Sequence, residues 1–158
     1  MQMVGIVGGG QLAQLLAGAA SDVDMKTLCL CEDINAPASR NSAIIVDDST
    51  EKTLKKFAHA VDVITVENEQ IDLKKLEFLQ QFKPVYPRIN ALEKIQDRYL
   101  EKTMLVNLGM KTVPFADIPN AKVLQDMWKN FSYHGMLKTR RFGYDGRGQM
   151  PIQNEQQL

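Results

Sequence analysis

Apolar positions fall into short β-branched runs separated by amphipathic stretches of helical period, the pattern of alternating strands and helices. Met3–Val7 predicts a buried strand, Gly8–Gly10 a turn, and Gln11–Ala20 a helix rich in Leu and Ala. Lys26–Cys31, Ala43–Val46 and Val61–Val66 predict three further strands. Before the last of these, Asp48 and Glu51 have the spacing of a capping box, for a helix running to about Ala60. A helix over Asp72–Phe82, capped by Asp72, and a short proline-bracketed strand over Lys83–Pro87 follow. Strands and helices alternating at this length predict an α/β fold with a parallel sheet covered on both faces. The first domain is expected to span 1–88.

The pattern changes from residue 89. Asn90–Glu93 reads as a second capping box that opens one helical region to Leu108, with Gly109 as its C′ residue. Pro114 keeps Met110–Phe115 extended, Asn120 caps a helix over Ala121–Phe131, and Tyr133–Thr139 and Arg147–Ile152 predict two strands joined by a glycine-rich turn.

Bulk composition narrows the function classes. The 158 residues are 44% hydrophobic and 24% charged, with a formal net charge of zero. That is an ordinary soluble globular composition, with no broad electrostatic case for nucleic acid or membrane. No apolar run approaches the ~20 residues that span a bilayer. Met1–Val7 has no basic leader and reads as a strand rather than a signal peptide. Cys29 and Cys31 would share a strand face too closely spaced for an ordinary disulfide, as reduced thiols of a cytoplasmic protein. His59 and His134 stand alone and carry no assigned chemistry.

Four stretches carry candidate chemistry. The first is Met136–Gln149, where Lys138, Arg140, Arg141 and Arg147 accompany Gly143, Gly146 and Gly148. Glycines that adopt φ > 0 turn backbone N–H groups toward an anion, so this cationic hairpin suits a nucleotide polyphosphate. The second is the strand–glycine turn–helix unit at Gly8–Gly10, a phosphate site at a helix N-terminus. Its Gly8, Gly10 and Ala13 also fit a dinucleotide fingerprint, with Glu32 and Asp33 about twenty residues on. An NAD-binding module therefore stays open here. The third is Glu67–Asn68–Glu69, two carboxylates at a strand's carboxyl end, where open α/β sheets bind ligands. The fourth is Gln96–Asp97–Arg98 with Lys102, which places two cations on one helix face.

In their order and spacing these stretches resemble the 5-(carboxyamino)imidazole ribonucleotide synthetase family, ATP-grasp enzymes of purine biosynthesis that form the ATPase subunit of phosphoribosylaminoimidazole carboxylase. Gly8–Leu12, Thr65–Glu69, Gln96–Arg98 with Lys102, and Lys138–Arg140 followed by Gly143–Gln149 carry the resemblance. It implies a pre-ATP-grasp, Rossmann-like domain over 1–88. The beginning of an ATP-grasp domain would occupy 89–158, the rest lying beyond Leu158. The implied reaction joins ATP, bicarbonate and aminoimidazole ribonucleotide through carboxyphosphate.

Arg98, Lys138, Gly143, Tyr144, Asp145, Gly146, Arg147, Gly148 and Gln149 would bind ATP. Tyr144, Asp145 and Arg147 would lie at the reacting groups. Gly8, Gly10, Gln11, Leu12 and Glu67 would line the ribonucleotide site. Mg2+ is implied with ligands outside these residues, and the family tends to form homodimers. On that reading the 158 residues alone give no bicarbonate-dependent ATP hydrolysis. Ala13, Val66, Asn68 and Phe142 depart from the family pattern, Phe142 by replacing a glycine. The alternatives are another purine-pathway ATP-grasp ligase, such as the formate-using glycinamide ribonucleotide transformylase, and the NAD-binding module.

Overall fold

β1 (Met3–Val7) is the strand around which the first half is arranged. It pairs in parallel with β2 (Lys26–Cys31) on one side and β4 (Val63–Val66) on the other, and β2 pairs with β3 (Ala43–Val46), giving the order β3-β2-β1-β4. The computed structural model describes residues 2–131, 134–143 and 146–154. It divides into two compact units, Met1–Leu92 and Glu93–Leu158.

Strand alternation builds two cores in the first unit. Ile6 and Cys29 pack with Ala13 and Ala17 of α1 (Gln11–Asp22), whose small side chains face the sheet. On the opposite face Val7, Leu28 and Leu30 meet Leu54 and Phe57 of α2 (Glu51–His59) and Leu76 and Leu79 of α3 (Leu73–Gln80).

Helix boundaries follow their capping side chains. Asp72 accepts the Lys74 N–H at 3.0 Å, as the sequence predicts. The cap of α2 is Thr50, which accepts the Thr53 N–H at 3.3 Å; the expected Asp48 lies two residues earlier and accepts the Thr50 N–H and O–H instead. The expected strand at Lys83–Pro87 reduces to one bridge, Val85 to Ile64, because Pro84 and Pro87 bring no N–H donors.

The second unit corrects the single helix expected over residues 90–108. α4 (Ile89–Ile95) straddles the unit boundary, and α5 (Arg98–Asn107) starts afresh. Asp97 is extended and accepts the N–H groups of Tyr99 at 3.0 Å and Leu100 at 3.3 Å, a helix start in mid-run. Gly109 (φ +76°) ends α5 in a Schellman turn, with Met110 N–H on Leu105 O and Gly109 N–H on Val106 O. Asn120 caps α6 (Ala121–Trp128) through the Val123 N–H; a 3₁₀ turn over Lys129–Phe131 occupies the rest of the expected helix. β5 (Gly135–Lys138) and β6 (Gln149–Ile152) form an antiparallel hairpin. Among the described residues no helix is long and apolar enough to cross a membrane.

Candidate functional site

In the first unit, the chain leaves β1 toward β2 and later returns to β4 on the other side. The carboxyl ends of β1 and β4 therefore flank a topological switch point, the usual ligand crevice of an open α/β sheet. Gly8 follows β1 and Glu67 follows β4, with the Glu67 N–H on Val7 O at 3.0 Å. The Glu67 carboxylate folds back over the glycine turn and accepts the Gly10 N–H at 2.8 Å. A Cβ at Gly8, where φ is +124°, would lie 2.5 Å from Glu67 Cβ; one at Gly10 would lie 2.4 Å from Glu67 Oε1. Gly8, Gly10 and Glu67 are thus one cluster, with Gln11 and Leu12 exposed at the start of α1.

This geometry bears on the dinucleotide reading. A carboxylate rests on the N–H that a pyrophosphate would use, and like charges repel there. Asp33, one of the two acids of that fingerprint, accepts the Asn35 N–H at 2.8 Å in its own loop. The cluster suits a partner that donates hydrogen bonds, an amine or a hydroxyl.

In the second unit, Lys138 ends β5 opposite Gln149 of β6, and the loop 139–148 joins them. The Thr139 N–H donates to Gly148 O at 2.7 Å. Gly148 (φ +62°) fits because a Cβ there would lie 2.4 Å from Thr139 Oγ1. Arg98 donates through Nη2 to Gly143 O, and its N–H donates to Arg140 O at 2.9 Å, so the first residue of α5 is tied to the loop. Arg98, Lys102 and Lys138 line a cleft of about 590 Å³ together with Phe115, Trp128 and Met136. Cations beside apolar and aromatic walls suit a ligand with a flat apolar end and an anionic tail. Gly146 takes φ +79°, and the exposed Phe142 takes φ +61°. Tyr144 and Asp145 lie outside the described residues. The Arg147 carbonyl would lie 3.1 Å from a Cβ at Gly143.

Asp97 is a functional candidate that motif reading leaves without a role, and Arg140, counted there only among the hairpin's charges, is its partner. Asp97 is 5% exposed and takes a two-pronged grip on Arg140, at 3.0 Å from Nε and 2.7 Å from Nη2. Burial opposes its charge, but hydrogen bonds from Arg140 and from the Leu100 and Tyr99 N–H groups outweigh it and hold the pKa below the usual carboxylate range. The available signal was an acid followed by an amphipathic run inside an otherwise continuous helix. Among the described residues no three His, Cys, Asp or Glu side chains stand together as a metal ion would need.

Comparison with known proteins places both units. Residues 1–96 match the ribonucleotide synthetase preATP-grasp domain, and residues 103–158 match the ATP-grasp domain. The chain is 37% identical over 147 residues to the N5-carboxyaminoimidazole ribonucleotide synthase of Pseudomonas aeruginosa, covering 92% of this chain and 41% of that protein. It is 34% identical to that of Staphylococcus haemolyticus, over 98% of this chain and 42% of the relative. The crystal structure of N5-carboxyaminoimidazole synthetase from Staphylococcus aureus complexed with ADP superposes with a TM-score of 0.90 at 32% identity, again over 98% and 42%. The chain therefore spans about two fifths of the length of the relatives it matches. By the match over residues 1–96, continued by the ATP-grasp match, the chain belongs to the ribonucleotide synthetase preATP-grasp family.

Proposed function

We propose that this chain supplies the ribonucleotide-facing domain and the first part of the ATP clamp of an ATP-dependent ligase that carboxylates aminoimidazole ribonucleotide with bicarbonate. One observation carries the reading: Arg98 reaches the Gly143 carbonyl, in the unit where it lines one cleft with Lys138. Two cations that share a cleft lined by aromatic walls, beside a loop rich in glycine, favour a nucleotide polyphosphate. The relative solved with ADP, alike over nearly the whole chain, supports the same assignment.

In the proposed reaction ATP phosphorylates bicarbonate to carboxyphosphate and leaves as ADP. The ribonucleotide's amine then takes the carboxyl carbon, and phosphate departs. The residues act mainly by positioning and charge. Arg98 and Lys138 hold the polyphosphate, and the loop Gly143–Gln149 covers it through Gly146 and Gly148. Arg147, with Tyr144 and Asp145, binds the bicarbonate end by charge-assisted hydrogen bonds. Glu67 accepts the ribonucleotide's amine, and Gly8, Gly10, Gln11 and Leu12 line its sugar side. The described residues do not fit a magnesium site, so no step runs through the metal here. We further propose domains over 1–88 and 89–158, a cytoplasmic protein and homodimer formation.

Calorimetry tests the reading. ATP binding with no NADH binding is the expected result, and tight NADH binding without ATP would overturn it.

A further inference from the structure

The acid at the start of α5 does two jobs with one carboxylate. Asp97 Oδ1 accepts the Tyr99 and Leu100 N–H groups, and both oxygens engage Arg140. Arg141 Nε stands 3.7 Å from Oδ2. Arg140 is steered from its other sides as well. Nη1 lies 3.2 Å from Asp117 Oδ2, and the guanidinium sits 5.3 Å from the centre of the Tyr99 ring. Tyr99 packs edge-on against Phe115, and Lys102 lies over the far ring, 5.5 Å from its centre. Two cations thus bracket a pair of touching aromatic rings along one wall of the cleft. Asp97 is buried but the Arg140 side chain is half-exposed, and an ion pair open to water on one side adds little net stability, so what this one supplies is a fixed register. Here the register is that of the loop: Arg140 is two residues past Lys138, and its carbonyl accepts the Arg98 N–H.

We propose that Asp97 is a positioning residue for nucleotide binding, locking Arg140 so that Lys138, Arg98 and the Gly143 backbone form one preorganised cradle for an anionic tail. This rests on the nucleotide reading above. The locked side chain need not touch the ligand; it removes ordering that the loop would otherwise undergo on binding.

The clean variant is Asp97→Asn, because Asn caps a helix as well as Asp but loses the charged two-pronged grip. Arg140→Lys keeps the charge and loses the fork. In the ligand-free full chain, amide hydrogen exchange at Thr139 and Arg98 should speed up at least tenfold in either variant, while the amides of Leu105 in α5 and of Leu108, which closes it, stay protected. ATP affinity by calorimetry should fall about tenfold in each, and no further in the double variant, as for residues acting as a unit. Unchanged exchange at Thr139 and Arg98 overturns the proposal, as do additive affinity losses. If the unaltered chain bound no ATP, the nucleotide reading would fall, and the nucleotide role of Asp97 with it. The exchange arm would then still tell whether the Asp97–Arg140 lock itself exists.

Discussion

Glu67 Oε2 accepts the Gly10 N–H at 2.8 Å, joining the end of β4 to the turn after β1 across 57 positions of sequence. The contact depends on glycine. At Gly8, φ +124° is strained for any L side chain, and a Cβ would lie 2.5 Å from Glu67 Cβ. Gly8→Ala is expected to lower the unfolding free energy by about 2–3 kcal/mol, within the range for backbone strain of this kind. Urea denaturation followed by circular dichroism measures it. Glu67→Gln should leave that midpoint within experimental scatter and weaken aminoimidazole ribonucleotide binding at least tenfold in calorimetry, since the amide keeps the shape and loses the charge.

Much of this was legible in advance, for identifiable reasons. The strands β1 to β3 and the cap at Asp72 are local features, set by β-branched runs and one side chain over a few residues. The glycines at 8 and 10 stood out, but that Glu67 would occupy their turn was not readable, because the contact depends on strand order. Asp97 shows the same limit from the other side. Periodicity saw one helix over residues 90–108, and only a partner 43 positions away explains why an acid interrupts it. Motif reading singled out Arg98 and Lys138 but could not see that the Arg140 carbonyl accepts the Arg98 N–H and so ties α5 to the loop.

Gly5 offers a packing test. A Cβ there would lie 2.7 Å from Phe57 Cζ and 3.1 Å from Val61 Cγ2, both in the sheet's larger core. Gly5→Ala should destabilise by about 1–3 kcal/mol, the usual cost of overpacking. Phe57→Leu opens space at that point. The double variant should therefore lose at least about 0.5 kcal/mol less than the two single losses added, the signature of contacting residues. Strict additivity in urea melts would show that the two side chains do not compete for one space.

Asp48 makes a pH prediction whose sign is fixed. The Thr50 hydroxyl, then the Thr50 N–H, hydrogen-bond its carboxylate and lower its pKa from 3.8 to about 2. Folding therefore favours the ionised form. The stabilisation is fully present above the unfolded value of 3.8 and is lost as pH falls through about 2. A carboxyl-carbon NMR titration should give Asp48 a midpoint near 2, and Thr50→Val should return it toward 3.8. The same variant removes the α2 cap, at a cost of about 1 kcal/mol. A midpoint near 4 in the unaltered chain would refute the arrangement.

Phe142 sits where the family resemblance leads one to expect glycine, and the backbone there behaves as if glycine were present. Its φ is +61°, and its side chain is 77% exposed. A left-handed conformation costs an L residue about 1–2 kcal/mol, and nothing gained by burial offsets it here. Phe142→Gly removes that strain but adds unfolded-chain freedom worth about 0.4–1 kcal/mol. The net gain should be about 0.5–1 kcal/mol. Trp128, the chain's one tryptophan, is buried in the same unit, so its fluorescence in urea reports this unit's unfolding. Nucleotide binding should respond in the opposite sense. A glycine at 142 frees the loop, so ATP affinity should fall a few-fold while stability rises. If both rose together, the phenylalanine would be hindering the loop rather than holding it.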